Sequence, residues 1–319
     1  MRKALLATTA LVAMGGVSAA SADITLSGTA SYNYITNSGT GTTGTLAGPG
    51  NAEDVDMSTT VDANIAMSSA LDNGMSISGL VSLDESGVDD SGWSIAGDFG
   101  TLAFGGTAND GFGATATGLT ADEGITLSTT TGTTAATAVA IPYKTVHNDF
   151  IPHSNVSLTL PAVSGFQLGV GMTDGATSAA DGTQWGLKYS MDAGSMTVDV
   201  AYASASTGTS GSDASSAGLT LTMGDTKVVV ASNETGTYTA SSVGASYKIS
   251  DALTVQGYTG STDKSDTGAY EVEDTAIGAT YTVTTGLTVS VTHNDFSGKG
   301  GTNGAESGTR TVIALDATF

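Results

Sequence analysis

Cysteine is absent from the 319 residues, so no disulfide can brace the fold. Basic side chains are nearly as scarce. Nine Lys and Arg stand against 31 Asp and Glu, a formal charge of −22, which excludes a nucleic-acid partner because phosphate binding needs clustered cations. Three histidines, His147, His153 and His293, have no cysteine or ligand spacing around them to suggest a metal site. After the N-terminus no apolar run reaches the roughly 18 residues of a membrane-spanning helix, and no strong pattern of period 3.6 occurs. What is abundant is glycine (44 residues against four prolines), together with Ser, Thr and Ala. That is the composition of strands and turns.

The N-terminus reads MRKALLATTALVAMGGVSAASA: Arg2 and Lys3, a short apolar core from Ala4 to Met14, then the small-x-small site Ala20-Ser21-Ala22. It predicts a signal peptide over 1–22, cleaved before Asp23, and hence an exported protein. Residues 23–319 then form one domain without a linker.

Alternation with period two dominates that domain. In the last eleven residues, Thr311, Ile313, Leu315, Ala317 and Phe319 share one face, while Val312, Ala314, Asp316 and Thr318 share the other. A tilted strand of about nine to eleven residues crosses a bilayer. Asp54 to Ser68 is the clearest case, with Val55, Met57, Val61, Ile65 and Met67 set against Asp54, Asp56, Asp62 and Asn64. Sixteen such strands can be read, the first five before residue 107 and the other eleven from about 154 to the terminus. The consecutive valines of 225–233 leave the facing of that strand ambiguous.

Connections alternate between short (69–74, 98–101, 161–164, 192–194) and longer (36–53, 84–92, 174–182, 206–212), with 107–152 by far the longest, though 234–237 is short where a longer one is expected. Transmembrane barrels sort their loops this way, whereas a soluble sandwich has no reason to. Tyr189, Tyr247 and Phe319 fall at one end of their strands and Tyr32, Tyr34 and Tyr202 at the other, as in two interfacial girdles; Tyr281 fits less sharply. The expected fold is therefore all-β: a closed antiparallel transmembrane barrel of about 16 strands.

Four features carry a resemblance to the general diffusion porins of Gram-negative bacteria. They are the opening Asp23-Ile24-Thr25-Leu26-Ser27-Gly28, the hairpin Gly97-Asp98-Phe99-Gly100-Thr101-Leu102-Ala103-Phe104-Gly105, the segment Asn155 to Gly169 with Pro161 and Ser164-Gly165-Phe166, and the terminal Phe319. The resemblance implies an outer-membrane channel for passive diffusion of small hydrophilic solutes and ions. It also implies a homotrimer among outer-membrane lipids, inserted by the barrel-assembly machinery with Phe319 as its signal. The third external loop, here 107–152, would fold into the lumen as a constriction.

Asp110, Asp122, Glu123 and Lys144 are the constriction candidates, and Asp62, Lys188, Asp199, Lys248, Arg310 and Asp316 the candidates on the lumen wall. The chain departs from the family at Gly106, where Arg is common, and in lacking a cluster of wall arginines. The surplus of acids predicts a cation preference. No catalytic constellation stands out, so no enzyme activity is expected. No cofactor is implied either; Asp110, Asp122 and Glu123 offer oxygen ligands suited to Ca²⁺, but without a calcium-loop motif. Two other readings remain. A substrate-specific porin would need an aromatic slide or clustered cations, and a secreted β-rich surface protein would need a fixed sequence repeat.

Overall fold

The computed structural model describes residues 23–40, 54–84, 87–105, 156–173, 182–207, 213–235, 238–264, 270–300 and 306–319. These form sixteen strands: β1 (Asp23–Thr40), β2 (Asp54–Ala70), β3 (Ser76–Asp84), β4 (Gly87–Gly97), β5 (Gly100–Gly105), β6 (Val156–Thr159), β7 (Phe166–Thr173) and β8 (Gly182–Asp192), followed by β9 (Met196–Thr207), β10 (Ala214–Met223), β11 (Thr226–Thr235), β12 (Tyr238–Lys248), β13 (Leu253–Lys264), β14 (Tyr270–Thr284), β15 (Leu287–Gly300) and β16 (Glu306–Thr318). Each pairs antiparallel with its neighbours in sequence, and β1 pairs with β16, so the sheet closes into a barrel without an edge. Closure pairs every strand on both sides, which a membrane requires of a sheet. Among the described residues no helix is long and apolar enough to cross a membrane.

The alternation in sequence becomes an inside and an outside. Ile24, Leu26, Met57, Val61, Met67, Leu168, Val170, Met172, Ile277, Ile313 and Leu315 are exposed on the outer face. Aromatic pairs mark its two margins. Phe166 and Tyr189 lie 4.3 Å apart near the short-turn end; towards the other end, Trp93 stacks on Phe104 at 4.3 Å and Trp185 meets Tyr202 at 5.3 Å. Tyr281, opposite Leu253 and Val289, sits close to the short-turn end and joins the margin of Tyr247.

Two sequence expectations change. The stretch 84–92 is not a long loop, because β4 begins at Gly87 and pairs back onto β3, with a register shift between Ser82 and Leu83. A bulge there absorbs the irregular Val88-Asp89-Asp90-Ser91 run, whose lack of apolar alternation hides the strand. In β11 the ambiguity resolves: Val229 is 0% exposed and faces inward, while Val230 is 45% exposed and faces outward.

Several glycines stand at close approaches, Gly100 and Gly28 among them. At Gly100 (φ 109°), in the Asp98-Phe99 turn, a Cβ would stand 2.0 Å from the Thr159 carbonyl oxygen. At Gly28 a Cβ would stand 2.7 Å from the Phe319 ring and 2.9 Å from the Asp62 carbonyl oxygen. Gly28 N donates to the Phe319 oxygen at 2.7 Å, and Phe319 N donates back at 3.0 Å. The last residue of the chain therefore completes the β1–β16 seam, and its ring occupies the place of a side chain at position 28.

Candidate pore lumen

The inner face divides into two territories. Along β1–β4 the inward residues are largely accessible: Thr25, Ser27, Thr60, Ala66, Ser68 and Ser78 are exposed, and Asp62, Asn64 and Ser94 are half-buried. Along the upper parts of β8–β12 they are buried: Gln184, Ala201, Ala203, Ala205, Ser216, Thr220, Val229, Ala231, Ala240 and Ser242. Ala276, Thr292, Asn294, Val312 and Ala314 extend this covered wall through β14–β16. Towards the short-turn end it opens again at half-buried Lys188, Asp199 and Lys227 and at exposed Ser190 and Asp192. The accessible surface thus follows one side of the barrel and widens at one mouth.

Of the wall candidates, Asp62, Lys188, Asp199, Arg310 and Asp316 lie at inward-facing register positions. Asp62 is held by Thr29, whose hydroxyl donates to a carboxylate oxygen at 3.2 Å. Beside it, Ser82 donates to Asn64 at 2.6 Å across β2 and β3. Lys248 keeps the inward parity but ends β12 and reaches the turn, where its Nζ meets Asp251 Oδ1 at 3.0 Å. It belongs to the rim, since both partners are well exposed and the pair is screened by solvent. Asp110, Asp122, Glu123 and Lys144 fall outside the described residues, as do His147 and His153. His293 faces outward and bonds Thr311 Oγ1 at 2.8 Å, and no metal-holding cluster occurs among the described residues.

Sequence reasoning missed two inward features. Lys227 faces the lumen because the two-residue turn at Gly224-Asp225 sets Met223 opposite Thr226 and so fixes the facing of β11. That turn was a usable signal beneath the ambiguous valines. The second is a bonded group of three: Tyr258 Oη donates to Asp274 Oδ2 at 2.5 Å and accepts from Asn294 Nδ2 at 3.2 Å. It ties β13, β14 and β15 together within the covered wall. No spacing rule links three residues on separate strands.

A closed barrel of sixteen antiparallel strands, apolar outside and hydroxyl- and carboxylate-bearing along an accessible inner wall, defines an outer-membrane channel protein. The comparisons agree. The Gram-negative porin family model matches residues 7–314, and the chain belongs to that family. It is similar to an anion-selective porin from Comamonas acidovorans (TM-score 0.63, 15% identity, covering 93% of this chain and 100% of that one). It is also similar to in-vitro folded OmpT, an outer membrane protein of Vibrio cholerae solved in a trimer form (0.64, 13%, 93% and 99%). A five-residue mutant of the Rh. blastica porin matches as well (0.61, 16%, 93% and 100%). No curated protein matches by sequence. The protein is a porin of the Gram-negative outer membrane, a channel protein.

Proposed function

We propose that the barrel is a passive aqueous channel for small hydrophilic solutes and ions, that it favours cations, and that it works as a homotrimer. The observation that carries this reading is the accessible wall of β1–β4, which is lined by hydroxyls and amides with the Asp62 carboxylate among them. Neutral polar groups let hydrated solutes pass without binding tightly, and a carboxylate beside the path raises the local concentration of cations. Asp199 and Asp316 add to this charge, while Lys188 and Lys227 near Asp199, and Arg310 on the same strand as Asp316, oppose it. The Comamonas porin is named for the opposite preference, and charge placement in such a lumen is what would separate the two.

The trimer rests on family membership, on the trimer form of the Vibrio relative, and on small outward residues near the seam, Ala30 and Ala63. Small outward side chains let barrels approach closely. Gly28, also outward, is not counted with them, because a Cβ there would meet the Phe319 ring and the Asp62 carbonyl oxygen. Swelling of liposomes carrying the purified protein tests the channel itself. Uptake should fall steadily with solute size for neutral sugars, and impermeability to all of them would reject it.

A further inference from the structure

Leu80 breaks the rule that organises the barrel. Its neighbours Ile77, Val81 and Leu83 alternate outward, yet Leu80 lies on the inward parity, opposite Ala66 on β2 and Gly92 on β4. It is half-buried on the accessible wall, where Ser, Thr and Asn predominate. A water-lined wall gains nothing from an exposed isobutyl group. The neighbouring row explains its surroundings: Ser68, Ser78 and Ser94 stand opposite one another across β2, β3 and β4, one step closer to the short turns. With Thr25 from β1 and the strand segments at Met67 and Gly79, these groups line a half-open depression of about 260 Å³ just inside that mouth. Its floor is Ala66 and Leu80, its rim is four hydroxyls, and no charged side chain lines it.

We infer that this cavity is a weak binding subsite for a neutral, polyhydroxylated solute the size of a single sugar ring. The inference rests on the channel reading and adds a class of solute to it. Such a ring has an apolar C–H face and an equatorial belt of hydroxyls. The C–H face covers Leu80 and Ala66 and removes that surface from water. The belt exchanges hydrogen bonds with Ser68, Ser78, Ser94 and Thr25, each of which can donate or accept. A cavity near the lower end of ligand-site volumes, open on one side, holds such a solute loosely enough for it to leave, which a conducting path requires. Charged solutes find no counter-charge there and gain less.

The test is current through the purified protein in a planar bilayer with glucose added on the side of the short turns. A polyethylene glycol of similar hydrodynamic size serves as control. Wild type should show saturable loss of current with glucose and only the linear, viscosity-driven loss with the polymer. Replacing Leu80→Ser, and separately Ser68→Ala with Ser78→Ala, should each raise the half-blocking glucose concentration several-fold, measured against each variant's own sugar-free current. A glucose effect as linear as the polymer's, or a saturable block that neither variant moves, would overturn the subsite. Neither result touches the channel reading, which fails only if there is no current before any solute is added.

Discussion

At Gly28 and Phe319 one residue gives up its side chain so that another can lie flat. The ring takes the outer-face space that a Cβ would enter at 2.7 Å, and the two backbones exchange a pair of hydrogen bonds at the seam where β1 meets β16. Phe319 is 71% exposed on the lipid side, so its ring contributes little to the lumen. Replacing Gly28→Val should force the ring aside, crowd the Asp62 carbonyl oxygen and destabilise the folded barrel by about 1–3 kcal/mol, the usual cost of overpacking. The same contact can be removed by deleting Phe319, which should reduce the yield of membrane-inserted barrels while leaving the conductance of each inserted channel near that of wild type. Thermal unfolding in detergent reads the first, and single-channel recording beside a count of inserted protein reads the second. Unchanged unfolding of Gly28→Val, or altered unit conductance after the deletion, would separate Phe319 from the seam.

Within β11 three adjacent valines face alternately out, in and out, and nothing in their chemistry says which is which. The natural absence of cysteine makes this easy to check. Val230→Cys should react with a membrane-soluble maleimide, and Val229→Cys, fully buried inside the barrel, should be protected by at least tenfold in rate. Equal reactivity would contradict the register. The same strand shows what the sequence could carry. Strands were legible wherever apolar and polar residues alternated against a constant outside, as in β2 and β16. They were obscured where both neighbours were apolar (Val228 to Val230) or both polar (Asp89 and Asp90 in β4). At the site, parity alone placed Asp62, Lys188, Asp199, Arg310 and Asp316 on the inner wall, because facing is a local property. It placed Lys248 in the lumen although the chain turns there. It could not foresee the Tyr258–Asp274–Asn294 contacts, which depend on register across three strands.

Taken whole, the barrel is asymmetric: the wall of β1–β4 is accessible from inside, while the upper wall of β8–β12 is covered. A solute path confined to one side meets a few residues closely rather than the average of the lumen, and among the described residues Asp62 is the charge best placed to act on it. A monovalent ion passing a carboxylate at ~6 Å in water feels roughly 0.7 kcal/mol, which screening at physiological salt reduces to about a twofold effect on local concentration. At this scale three barrels are expected to associate, so the mass of the purified protein in mild detergent should be three times that of the chain; a strictly monomeric species would remove the trimer. The central claim, an open channel biased by its carboxylates, is tested most directly by the zero-current potential across a planar bilayer under a potassium chloride gradient. A cation-directed potential is expected at low salt, shrinking at high salt and falling by about half in its permeability ratio when Asp62→Asn is introduced. An anion-directed potential at low salt would contradict the charge assignment, and the absence of any conductance would contradict the channel.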